Sequence, residues 1–153
     1  MKGKVTLELL WWMVTGVLVV LFLLPVFLNI GDRYPFYQSN IVFIVIFITF
    51  TRVIFLLKHT LFAHNKMLKL ILIFAPIPLF FYSMDALFNF QDFIDKGEHI
   101  KMLSQLSPDK AMNISKYIRY EFVFFGTGSI LTIFLLPIRM IISIWRGINK
   151  GTV

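Results

Sequence analysis

Residues 40–66, NIVFIVIFITFTRVIFLLKHTLFAHNK, decide the fold. The run is apolar enough to enter a bilayer, yet it carries Arg52 inside the apolar part and Lys58, His59 and His64 behind it. The centre of a bilayer holds no water to solvate a guanidinium. An ionisable residue there is paired, reaches for the interface, or is functional.

The same character extends outward through the chain. Of the 153 residues, 58% are hydrophobic and only 15% charged, and phenylalanine alone supplies 18. A soluble domain carries about a quarter charged residues. A chain this short cannot hide so much apolar surface in one aqueous core, so lipid is the solvent for much of it. The mean hydropathy of +0.80 agrees.

Residues 9–30, LLWWMVTGVLVVLFLLPVFLNI, form the first predicted span, with Trp11 and Trp12 at the headgroup level and Pro25 bending its far end. Lys2 and Lys4 precede it as in a signal peptide. However, the apolar run is too long and lacks a small-residue cleavage site, so it reads as a retained helix. Gly31, Asp32 and Pro35 make a turn, and the second span covers residues 40–62. Asn65 breaks the chain again before a third span at 68–90, kinked by Pro76 and Pro78. The fourth span covers 118–145.

Residues 91–117 are the one substantial polar segment. Ile100, Leu103 and Leu106 are spaced for one helical face, which predicts a short amphipathic helix on the membrane surface. Ser107-Pro108, with Asp109 following, reads as the start of a helix that runs into the fourth span. The predicted fold is therefore an all-α membrane protein, residues 1–153 forming a single integral membrane domain. It has four transmembrane helices and a short amphipathic segment between the third and fourth.

An even number of spans puts both termini on one side. Lys2, Lys4, Lys58, Lys66, Lys69, Arg139, Arg146 and Lys150 gather there, against Arg33, Lys96, Lys101, Lys110 and Lys116 on the other. The positive-inside rule then expects both termini in the cytoplasm of a plasma (inner) membrane. The net charge of +7 is spent at the ends of apolar runs, where basic residues meet lipid headgroups, so nucleic acid is not an expected partner.

Four ionisable residues in or beside the spans form the candidate polar cluster: Arg52, His59, Asp85 and Glu121. Arg52, His59 and Lys66 recur every seven residues, one stripe of a continuous helix. Asp85 and Glu121 share the outer half of the membrane. Either is an expected structural partner for Arg52, and together they would perturb each other's ionisation. Gly126, Gly128 and Ser129 are candidate helix-packing positions, small enough for a neighbouring helix to approach closely.

Other chemistry finds little support. There is no cysteine, hence no thiolate metal site or thiol nucleophile. His59 and His64 are five residues apart and face different ways on a helix, while His99 lies in the opposite loop. Asp92, Asp95, Glu98 and His99 lack the spacing of a calcium loop. No phosphate loop, nucleophile elbow or H-E-x-x-H stands in the sequence. The reading is thus a non-enzyme without catalytic, cofactor or metal residues, whose partners are the lipid bilayer and further copies of itself or a larger membrane complex. The expected role is a structural or accessory subunit. The runner-up is a proton or ion permeation unit using Arg52, Asp85 and Glu121; the third is a lipid-acting membrane enzyme.

Overall fold

A computed structural model describes residues 2–60, 62 and 65–149. The described residues are all-α. α1 covers Lys2–Ile30, α2 Tyr37–Leu56, α3 Lys66–Phe74, α4 Pro76–Asp95, α5 Glu98–Leu103 and α6 Pro108–Asn149. Short 3-10 turns at Gly31–Arg33 and Leu57–His59 follow α1 and α2. Four helical stretches are long and apolar enough to cross a membrane: Val5–Arg33, Tyr37–His59, Lys66–Asp95 and Pro108–Asn149. They point to a membrane location.

Local chemistry explains where these elements begin and end. Gly31 follows α1 with φ of +61°, the left-handed conformation that closes a helix at least cost in glycine. Asn65 caps α3, its Oδ1 accepting from the N–H groups of Met67 and Leu68 at 3.0 and 3.3 Å. The expected kink in the third stretch falls at Ala75. Pro76 cannot donate to Leu72 nor Pro78 to Phe74, so the ladder is interrupted and α4 restarts with proline in its first turn. Pro108 likewise opens α6, which continues without a break for 42 residues.

α2 and α6 form the centre, and every other helix packs on α6. At the loop end, Phe43, Phe90 and Phe122 are buried, with Phe90 stacked on Phe122 at 4.0 Å. At the other end Phe50, Val53, Leu57, Ile133, Leu136 and Met140 make a second cluster. α5 does not lie flat as an independent surface helix. Leu103 is buried in the loop-end cluster and Leu106 packs against it, while Ile100 remains exposed.

The small residues of α6 sit where α2 and α4 come closest. A methyl group built on Gly126 would lie 2.7 Å from Leu87 Cδ2 and 3.1 Å from Phe43 Cε2. One on Gly128 would lie 2.8 Å from the Phe47 ring. Ser129 is fully buried and returns its hydroxyl to Gly126 O at 2.8 Å, so it brings no unmet donor into the contact. Gly126→Leu and Gly128→Leu are therefore expected to lower the detergent melting temperature, by the ~1–3 kcal/mol that overpacking costs. Gly16→Leu is the control, because nothing lies within 4 Å of a side chain there. Equal melting of all three variants would refute the packing role.

Candidate functional site

The structure places the expected polar residues in separate contacts rather than one cluster. Arg52, on the inner face of α2 one turn before its end, pairs with Glu8 of α1. Both side chains are withdrawn from the surface, 9% and 13% exposed. Trp11, one turn beyond Glu8, lies under the guanidinium at 5.7 Å from its ring centroid. Glu8, Trp11 and Thr15 share a face of α1 with the packed residues Val19, Leu23 and Val26, so α1 presents a polar end and an apolar remainder to α2. Thr15 turns its hydroxyl back to Trp11 O at 2.8 Å.

Neither Asp85 nor Glu121 is the partner of Arg52. Glu121 is held by Asn40, whose Nδ2 donates to Oε2 at 2.5 Å. Asn40 and Arg52 are twelve residues apart on α2, or about 18 Å at the helical rise. Asp85 faces away from the bundle, exposed, and accepts from Asn89 one turn on at 3.0 Å. Asp85 and Glu121 therefore do not meet. The stripe through His59 also fails: α2 ends at Leu56, and Thr60 closes the following turn with both its N–H and its hydroxyl on Leu57 O. That rotation leaves His59 exposed. His64 lies outside the described residues.

The loop-end contact is a small polar island in an aromatic core. Asn40 is completely buried, Tyr34 is 2% exposed and Glu121 7%. Three of their oxygens have no hydrogen-bond partner: Tyr34 Oη, Asn40 Oδ1 and Glu121 Oε1. Burial pushes the Tyr34 phenol well above its ordinary range, so it remains a hydroxyl. Tyr117, one turn before Glu121 on α6, ties α6 to α1 by donating to Phe22 O at 2.7 Å.

One further polar link and one buried cation escape a sequence reading. Arg139 of α6 donates from Nε to Ile54 O of α2 at 2.9 Å, taking up a carbonyl near the end of that helix. Lys69 is buried on α3, on the side of Leu72 and Ile73, which pack against the α2–α6 cluster. Of the missed residues, Glu8 left a signal: it is the single acid before Asp32, and so the nearest anion available at the terminal end of the bundle. Asn40 and Tyr34 left none, since neither residue type is costly at a span boundary.

Around the polar loop the acids have simple partners. Asp92 pairs with Lys96 at 2.6 Å and Asp95 accepts from Gln91 at 3.0 Å, all on the exposed side of α4. No family model, no curated protein and no solved structure matches the chain.

The Arg52–Glu8 pair predicts a specific coupling. Glu8→Leu takes its carboxylate away from the withdrawn Arg52 guanidinium and is expected to cost ~3 kcal/mol, whereas the double variant with Arg52→Leu regains part of that loss. Adding Asp85→Leu or Glu121→Gln to Arg52→Leu should give no comparable recovery. Thermal unfolding of the set in detergent reads this directly, and strict additivity of the Arg52 and Glu8 effects would contradict the pairing.

Proposed function

We propose that this chain is a non-catalytic structural or accessory subunit of a plasma-membrane assembly, either with a larger partner or with copies of itself. It threads the membrane four times, with both termini in the cytoplasm and the α4–α6 connection outside.

The outward-facing Asp85 carries the assembly reading. Its depth follows from its neighbour: Leu87 packs on Gly126, eight residues past Ile118, about 12 Å into the fourth span. An aspartate near that depth, turned towards hydrocarbon, costs ~2.5–3.5 kcal/mol. Asn89 offers it one neutral hydrogen bond, which does not balance the charge. A neighbouring chain with a donor or a cation at this level would. Phe81 and Phe88 flank the position, each 66% exposed, and add aromatic surface to the same side of the bundle.

The internal polar groups support a structural role over permeation. Arg52 is answered by Glu8, Arg139 by a backbone carbonyl, and Glu121 by Asn40. Each links two helices. With Asp85 turned outward and Arg52 and Glu121 at opposite ends of α2, the three do not line one path.

Two experiments test this reading. A photo-crosslinking residue at Phe88 should capture protein in native membranes, and Asp85→Leu should abolish the adduct without lowering the melting temperature of the isolated chain. The same probe at Val17, on the apolar outer face of α1, should capture lipid. Capture of lipid alone from Phe88 would defeat the assembly reading. For the threading, Ser104→Cys is expected to react with an impermeant thiol reagent from outside the cell. Labelling only after lysis would invert it.

A further inference from the structure

Glu121 is a buried carboxyl group without a cation. The ion pairs among the described residues are Arg52–Glu8 and Lys96–Asp92, and neither reaches it. It sits at the end of the bundle where the apolar cluster of Phe43, Phe90, Phe122, Leu23 and Val26 is buried, and it lines a groove with Phe22, Val123, Phe124 and Phe125. An ionised carboxylate in such surroundings, with a single neutral donor, is strongly disfavoured; the group takes up a proton instead.

The pattern of unmet oxygens says where that proton belongs. Asn40 Nδ2 already donates to Glu121 Oε2. The other oxygen of each side chain, Glu121 Oε1 and Asn40 Oδ1, is buried and lacks a partner. Both are acceptors while Glu121 is ionised, so they cannot satisfy each other. One proton on Oε1 makes it a donor, and the carboxamide oxygen of the same pair is the acceptor it needs. A carboxylic acid and a carboxamide then close into a ring of two hydrogen bonds, N–H to carbonyl and O–H to carbonyl.

We propose that Glu121 and Asn40 form a proton-binding site, in which Glu121 is held as the neutral acid with Oε1–H donating to Asn40 Oδ1. The proton comes from water, and its release regenerates the carboxylate. Tyr34, on the turn before α2, is buried with its hydroxyl making no hydrogen bond to either side chain. Tyr117, one turn before Glu121 on α6, has its hydroxyl committed to Phe22 O. Tyr37 of α2 is committed to Gly31 O. Other charged or titratable side chains near this end are exposed, among them Lys116, Arg119 and Tyr120 on α6, Asp32 and Arg33 on the turn, and Asp85 and Tyr82 on α4, the last donating to Ser39. His99 of α5 is half-buried against the Phe93 ring. α1 contributes apolar side chains at this level.

Infrared spectroscopy of the purified full-length protein tests the site. At neutral pH the wild type should show the carbonyl band of a protonated carboxylic acid, shifted by exchange into heavy water and absent in Glu121→Gln. Asn40→Leu should keep the band but move it to the position of an acid without that hydrogen bond. Glutamine reproduces the ring as an amide pair, so Glu121→Gln should fold and melt within a few degrees of wild type. Identical neutral-pH spectra for wild type and Glu121→Gln would overturn the proposal. So would failure of Glu121→Gln to fold, or a sodium-dependent rise in wild-type melting temperature that Glu121→Gln lacks, which would assign the oxygens to a metal cation.

Discussion

The close contact of α2 with α6 is the interaction on which the rest of the bundle depends. In lipid, helices gain little from burying apolar surface against one another, because the tails are equally apolar. Close packing and interhelical hydrogen bonds must supply the preference. Both are concentrated here. Phe43 and Phe47 of α2 lie over Gly126 and Gly128, Asn40 binds Glu121 at one end, and Arg139 binds the Ile54 carbonyl at the other. Three points along two helices fix both rotation and register. α1 is then added through Arg52–Glu8 and the Tyr117 hydroxyl, and α4 through Leu87 and the Phe90–Phe122 stack.

The sequence was legible wherever composition or backbone chemistry decides the outcome. Long apolar runs marked the four stretches, Pro76 and Pro78 marked the interruption of the third, and Ser107-Pro108 marked the start of α6. The partners of the charges were not legible. A helix that is apolar on every side carries no amphipathic stripe to set its rotation, so the sequence leaves open which way Arg52, Asp85 or Glu121 points. Their facing is decided by a few tertiary contacts, such as Leu87 on Gly126, which turns Asp85 outward. The stripe through His59 failed for a different reason. Periodicity presumes a continuous helix, and Thr60 ends the turn on Leu57 before the third member is reached.

The polar residues of the bundle divide into two kinds. Arg52, Glu8, Asn40, Glu121 and Arg139 are shared between helices, and each offers a hydrogen bond or a charge that its neighbour lacks. Ser129, Thr132 and Thr15 instead return their hydroxyls to their own helix, which lets a small polar side chain sit in an apolar contact without asking anything of the opposite surface. The first kind confers orientation and the second only space.

The length of α6 has a mechanical consequence. Its 42 residues rise about 63 Å, roughly twice the hydrocarbon thickness of a bilayer. Residues 108–136, before Pro137, form one uninterrupted rod gripped by α5 near its start and by α2 along its middle. Its backbone lies close against Leu87 and Phe43 at Gly126 and against Phe47 at Gly128. Thinning the bilayer tilts a long helix, thickening it brings the helix upright, and in either case the two ends swing in opposite senses. A helix this much longer than the hydrocarbon is thick leans or reaches beyond it, and two glycines mark where α2 and α4 hold its middle.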